Sequence, residues 1–279
     1  MVRRFVAGVT AADALRAAGE LVAQGLTVTL AYLGEDARDP EQAAAARDEY
    51  LRLVAALTEA QLTPVAELSL KLSALGLRLD EQLAYDHAAA VCAAATAAGT
   101  AVTLDMEDHT VTDAICEIHT KLRQDHPDTG IALQAYLRRT EADCRDLADP
   151  GARVRLCKGA YAEPESVAYQ TRLEVDKSYV RCLNILMAGE GYPMLATHDP
   201  RLIAIGEDRA RWFDRSPEEL EFQMLYGVRP AEQLRLAEEG YPVRVYVPYG
   251  TQWYAYLMRR LAERPANLAF LGRALRSRT

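Results

Sequence analysis

The chain has 279 residues, enough for one barrel-sized domain or two ordinary ones. Half of the residues are hydrophobic and 26% are charged, which excludes a disordered or fibrous chain. The 32 Lys and Arg against 40 Asp and Glu give a formal charge of -8 with no basic stripe, which disfavours a nucleic-acid binder. Five cysteines (Cys92, Cys116, Cys144, Cys157, Cys182), widely spaced and without a C-x-x-C, read as reduced thiols of a cytoplasmic protein. The N-terminus reaches Asp13 before any signal-like apolar stretch, and no segment approaches the roughly 20 apolar residues that span a bilayer.

Periodicity predicts a helix over 10–24, a strand over 26–33, and a helix over 40–61 opened by Pro40-Glu41. A strand over 64–72 is followed by a helix over 80–98 capped by Asp80, whose Ala-rich end predicts close packing against a neighbour. Next come a strand over 101–106, a helix over 110–125 opened by Thr110, a strand over 130–137 and a helix over 140–148. The strand over 153–157 precedes a long helix at about 170–189 that stops at Gly189 and Gly191. The series closes with strands over 193–198, 220–225 and 242–248, each followed by a helix: 199–211 from Asp199-Pro200, 230–239 from Arg229-Pro230, and 251–263 from Thr251. Eight strand-then-helix units without a low-complexity linker predict an α/β fold, a closed (βα)8 TIM-type barrel forming a single domain over 1–279, with an open α/β sheet as the alternative.

Barrel active sites sit at the C-terminal ends of strands. There the first strand runs into Gly34-Glu35-Asp36, the second carries Lys71, and the third ends in Asp105-Met106-Glu107-Asp108-His109. The fourth holds Gln134 and Tyr136, and the fifth contains Arg155 and is followed by Lys158-Gly159-Ala160-Tyr161. The sixth ends in Thr197-His198-Asp199, the seventh gives Gln223 and Tyr226, and the eighth gives Tyr246 and Tyr249. Each has a plainer reading. Arg155 and Lys158 suit rim ion pairs, His198 suits a hydrogen-bonded core histidine, and Lys71, alternating with Leu70 and Leu72, points either into the barrel mouth or into the helix layer. The 105–109 cluster lacks the second histidine and spacing of a hydrolase metal site, so no metal is expected. In the last helix, Trp253, Leu257 and Leu261 form an apolar stripe, and Tyr256, Arg259, Arg260 and Glu263 form a polar one. The latter suits either a solvated Arg259–Glu263 pair or two guanidinium forks that hold a carboxylate. The absence of G-x-G-x-x-G, a Walker A loop, G-x-S-x-G and H-E-x-x-H disfavours a Rossmann dehydrogenase, an ATPase, a serine hydrolase and a zincin.

The segments YLGED (32–36), SLKLSALG (69–76), LDMED (104–108), LQAYLRR (133–139), VRLCKGAY (154–161), ATHDP (196–200), EFQMLYGVR (221–229), YVPYG (246–250) and YLMRRLAERPAN (256–267) together resemble the proline dehydrogenases. The likeness is greatest to the short monofunctional bacterial form, since no aldehyde dehydrogenase domain follows the barrel. The resemblance implies FAD-dependent oxidation of L-proline to Δ1-pyrroline-5-carboxylate, hydride passing from proline C5 to flavin N5, with a membrane quinone reoxidising the cofactor at the inner face of the cell membrane. It implies that Arg259 and Arg260 hold the substrate carboxylate, that Lys71, Tyr161, Tyr246, Tyr256 and Leu225 surround the proline ring, and that Glu35 pairs with the first arginine and gates the site. Asp105 and Arg155 are the implied catalytic pair. Met106, Gln134, Arg155, Lys158, Gly159, Ala160, Thr197, His198, Gln223 and Glu263 are implied to surround the FAD, and the last helix to lie over the barrel mouth. With Lys71, Arg155, Lys158, Arg259 and Arg260 the mouth is expected to be locally positive. Two departures stand out: Cys157 replaces the usual valine, and the chain starts only one helix before the first strand. A Schiff-base aldolase using Lys71 or Lys158, and a flavin or proline sensor without turnover, are the alternatives.

Overall fold

The computed structural model describes residues 4–34 and 36–262. Its strands β1 (Thr27–Tyr32), β2 (Ala66–Leu70), β3 (Val102–Leu104), β4 (Gly130–Gln134), β5 (Arg153–Cys157), β6 (Tyr192–Ala196), β7 (Glu221–Leu225) and β8 (Val243–Tyr249) pair in parallel, each with the next, and β8 closes on β1. Helix α1 (Ala11–Val22) precedes the barrel. Then α2 (Pro40–Glu59), α3 (Glu81–Ala97), α4 (Thr112–Asp125), α5 (Thr140–Asp146), α6 (Arg172–Ala188), α7 (Pro200–Trp212), α8 (Pro230–Glu238) and α9 (Trp253–Ala262) follow the strands in turn. The (βα)8 architecture expected from the spacing is therefore the one formed, and the open sheet is excluded by the β1–β8 pairing.

Local chemistry sets the helix starts. Thr10 and Asp13 form a reciprocal capping box on α1, as do Thr171 and Glu174 on α6, while Asp39, Asp80 and Asp199 cap α2, α3 and α7 through their side chains. The Ala-rich α3 buries Ala84, Ala88, Val91, Cys92 and Ala95 along one face and packs closely, as predicted.

Several strands are shorter than the sequence suggests. The expected 64–72 contracts to Ala66–Leu70, and 130–137 stops at Gln134, so Lys71 and Tyr136 lie just past the strand ends. The apolar run continues because the loops at the mouth are themselves buried: Leu72, Leu75, Tyr136 and Leu137 are all covered. Period and burial alone do not separate such a loop from a strand.

Between the barrel and the helices lies an apolar layer that includes Leu30, Leu68, Leu70, Leu104, Phe222 and Val245, each with no measurable exposure. Buried tyrosines anchor the helices to the sheet: Tyr50 on α2 donates to the Ser69 carbonyl at 2.8 Å, and Tyr179 on α6 to the Leu156 carbonyl at 3.2 Å. The other strand face is polar. Glu67 on β2 reaches Arg153 on β5 and Arg244 on β8, two strands that do not adjoin each other, so these side chains cross the barrel interior. The same alternation places Ser69, Asp105, Arg155, Gln223 and Tyr246 one layer nearer the mouth.

On α4, His119 is 1% exposed and its Nε2–H donates to the Thr129 carbonyl at 3.0 Å. Burial pushes its pKa down to about 4. The unfolded chain then binds the proton first, so stability present above the ordinary value near ~6.5 is lost as pH falls toward about 4. The full loss is on the order of 3 kcal/mol. His119→Gln keeps a donor for Thr129 and removes the ionisation. Its urea midpoint is expected to fall less between pH 7 and 4.5 than that of the unmodified chain, and identical losses would remove His119 as a source of acid sensitivity.

Candidate active site

The strand ends open into a cavity of about 1590 Å³. That exceeds the roughly 300–1,000 Å³ of a drug-sized pocket and fits a large cofactor together with a small substrate. Lys71, Asp105, Met106, Gln134, Arg155, Lys158, Gly159, Ala160, Tyr161, Thr197, His198, Gln223, Leu225, Tyr246 and Tyr256 all line this one space. Residues picked at separate strand ends are thus brought together, and Tyr256 puts α9 at the mouth. Tyr256 and its neighbour Leu257, one from each of the two stripes expected on that helix, are both buried. Arg259 and Arg260 belong to α9, but their side chains, like Glu35 and Glu263 entirely, lie outside the described residues.

Asp105 and Arg155 form the centre. Arg155 Nη1 donates to Asp105 at 2.7 Å and to Ser69 Oγ at 2.8 Å, and its Nε donates to Gln223 Oε1 at 2.6 Å. Asp105 also accepts from Ser69 Oγ at 2.7 Å and from the Tyr246 hydroxyl at 2.8 Å. Burial, reinforced by the Asp105 charge, holds the Tyr246 hydroxyl well above its ordinary pKa, so it remains a donor. The Arg155 guanidinium lies 5.6 Å from the Tyr246 ring centroid, within cation–π range. Two buried side-chain atoms of residues that line this space have no partner among the described residues: Arg155 Nη2 and Gln134 Oε1. A donor and an acceptor left unsatisfied while buried are costly unless a ligand completes them.

Lys71 points into the mouth rather than the helix layer. Its ammonium meets Asp36 at 2.8 Å and Glu107 at 3.2 Å. Ser73 is joined to the same group: its N–H donates to Glu107 at 2.8 Å, and its hydroxyl contacts both Asp36 and Glu107. Burial alone would push the lysine pKa down, but Glu107 and Asp36 overcome this and hold it above its ordinary value. Lys158 is held by Asp176 at 2.5 Å and Asp199 at 3.0 Å. Of the five cations expected at the mouth, Lys71, Arg155 and Lys158 each carry a carboxylate partner delivered from another segment, and the Arg259 and Arg260 side chains lie outside the described residues. A Schiff-base lysine needs a depressed pKa, and Lys71 is displaced the opposite way.

On the other rim, the Leu225 N–H donates to His198 Nε2 at 2.9 Å, which puts the proton of the neutral ring on Nδ1. Thr197 Oγ1 accepts from the Asp199 N–H at 3.2 Å and tightens the turn into α7. Gly159 has φ +110, and a Cβ there would run into the Tyr136 ring, so only glycine fits against that ring. Cys157 lines the cavity with its thiol 3.4 Å from the Leu133 carbonyl. Sequence reasoning gave no role to Ser69, Asp36, Glu107 or Arg172. Ser69 was within reach, since it stands two residues before Lys71 on the same strand face. Arg172, the exposed first residue of α6, lines the cavity and has no ion-pair partner among the described residues.

A sequence model of the family described as proline dehydrogenase matches residues 14–273. Proline dehydrogenase 1 of Bacillus subtilis (strain 168) is 40% identical over 269 residues, covering 96% of this chain and 88% of that protein. Proline dehydrogenase of Deinococcus radiodurans is 38% identical over 276 residues, covering 97% and 88%. Among solved structures, proline utilization A (PutA) from Bdellovibrio bacteriovorus, inactivated by N-propargylglycine, superposes with a TM-score of 0.86 at 26% identity. The match covers 93% of this chain and 32% of that longer one. With the barrel, its mouth and these matches in hand, the chain is a member of the proline dehydrogenase family.

Proposed function

We propose that this chain is a single catalytic barrel that oxidises L-proline to Δ1-pyrroline-5-carboxylate with FAD as cofactor, its electrons passing to a membrane quinone. The observation that carries the reading is the mouth cavity in which Arg155 Nη2 and Gln134 Oε1 are buried without partners. A flavin ring offers both carbonyl acceptors and an N–H donor, the two kinds of group that Arg155 Nη2 and Gln134 Oε1 would need from a bound cofactor. Bound FAD supplies the two-electron acceptor that no side chain offers.

The chain's own residues do the rest. Gly159 and Ala160 line the cavity and are assigned to the cofactor, and Arg172, a cation at the cavity edge, is suited to a phosphate. Tyr246 and Leu225 supply an aromatic and an aliphatic wall for the ring, with Tyr161 and Tyr256 beside them. Arg259 and Arg260 are assigned to the substrate carboxylate because the guanidinium fork matches it bidentately. Glu35 is assigned to the gate and Glu263 to the cofactor. Lys158 and Met106, with Gln223, Thr197 and His198, complete the cofactor's surroundings. No described helix is long and apolar enough to cross a membrane, and a cytoplasmic enzyme that meets the bilayer peripherally accords with that. The test is anaerobic: purified protein reconstituted with FAD is expected to lose its visible flavin absorbance on adding L-proline. Absence of flavin binding would defeat the reading, and flavin that proline does not bleach would favour a sensor without turnover.

A further inference from the structure

Below Asp105 and Arg155, the barrel holds a second layer of charge. Arg153 Nη2 meets Glu67 at 2.5 Å, Arg244 Nη2 meets the same carboxylate at 3.2 Å, and Arg244 Nε meets Glu221 Oε1 at 2.9 Å and Oε2 at 3.1 Å. The layer contains two cations and two anions and is neutral as a set. Glu221 is 1% exposed, Glu67 5% and Arg244 7%. Buried ion pairs of this kind are weak contributors to stability, and apolar side chains of similar volume often serve as well. Their use in fixing orientation is the better-attested one.

The contact that leaves this layer toward the mouth runs through Gln223. Its Nε2 donates to Glu221 Oε1, and its Oε1 accepts from Arg155 Nε at 2.6 Å. A carboxylate is acceptor-only and a guanidinium is donor-only, so a glutamine between them has one satisfying orientation. The charge on Glu221 therefore selects which end of the amide faces Arg155. With Nε engaged by Gln223 and Nη1 by Ser69 and Asp105, Nη2 is the edge without a partner among the described residues.

We propose that Glu221 is a positioning residue for the redox reaction, holding Arg155 through Gln223 so that Nη2 faces the bound cofactor. The inference rests on the proline dehydrogenase reading. It is tested on FAD-loaded enzyme with Glu221→Gln, Gln223→Met and the double variant, measuring kcat per bound flavin, the proline KM, the midpoint potential of the bound flavin and Tm. Glu221→Gln allows the amide to turn its Nε2 toward Arg155, setting donor against donor. The expected result is a fall in kcat of about tenfold, smaller than the loss of a direct donor, with KM changed by less than about twofold and the midpoint potential shifted to a more negative value as the cation moves away. Gln223→Met cuts the same link and leaves the charged layer intact, so it carries the test if Glu221→Gln does not fold. Because both act on one link, the double variant is expected to lose no more than Gln223→Met alone. A drop in Tm with kcat and potential unchanged in both single variants, or additive losses in the double variant, would overturn the proposal. Failure of the unmodified enzyme to be reduced by proline would instead strike the underlying reading.

Discussion

Arg155→Met is expected to cut proline-dependent flavin reduction by about 10²–10³, the range seen when a preorganised donor is removed from developing charge. Arg155 is 5% exposed and its fork is held on two sides, by Gln223 and by the Ser69–Asp105 pair. Such pre-orientation avoids reorganisation at the moment of reaction, which is where electrostatic catalysis originates. Methionine fills a similar volume without a donor or a charge. Asp105 keeps Ser69 and Tyr246 as donors, so the barrel should fold with a lowered Tm rather than fail outright. Arg155→Lys restores the charge but not the planar fork and is expected to recover only part of the rate. Anaerobic stopped-flow on variants normalised for bound FAD checks this. A rate for Arg155→Met within about threefold of the unmodified enzyme would mean that Arg155 orders Asp105 and does nothing for the redox step.

The strand ends were readable because a parallel barrel buries both faces of every strand except at the mouth, so Arg155 in RVRLC and Lys71 in SLKLS are conspicuous. What pairs them was not. Lys71 looks like a free cation until Asp36 and Glu107 arrive from the loops after β1 and β3, and Lys158 until Asp176 and Asp199 arrive from α6 and the start of α7. Those partners are distant in sequence, and only closure of the barrel brings them within 3.2 Å. The layer of Glu67, Arg153, Glu221 and Arg244 was missed for another reason. Each stands two residues before a polar position of the mouth on the same strand face, where the fold usually carries branched aliphatic layers, and only barrel closure brings the four together. Strand ends such as Tyr136 were misplaced because burial continues past the last ladder hydrogen bond.

Glu107→Leu should be the most destabilising single change at the mouth, by about 3–5 kcal/mol. The carboxylate is 2% exposed and serves three donors: the Ser73 N–H, the Ser73 hydroxyl and the Lys71 ammonium. Leucine leaves a buried N–H without an acceptor, a cost of about 1–3 kcal/mol by itself. It also leaves Lys71 to Asp36, a partner whose side chain is 44% exposed and shared with Arg78. For a chain of this size the combined effect is a fall in Tm on the order of 10 °C. Glu107→Gln retains an acceptor for Ser73 and loses only the charge opposite Lys71, so it should fall by less than half as much. Because burial opposes the lysine charge and Glu107 is the largest factor sustaining it, the Lys71 pKa should drop in both variants. The support that Lys71 gives the fold is present below the ordinary lysine range and is lost as pH rises through the folded value, so the unmodified chain should keep its Tm to a more alkaline pH than either variant. Equal Tm profiles between pH 8 and 10.5 would show that Asp36 alone suffices to hold the lysine, and that Glu107 serves only to tie the Ser73 turn to the loop after β3.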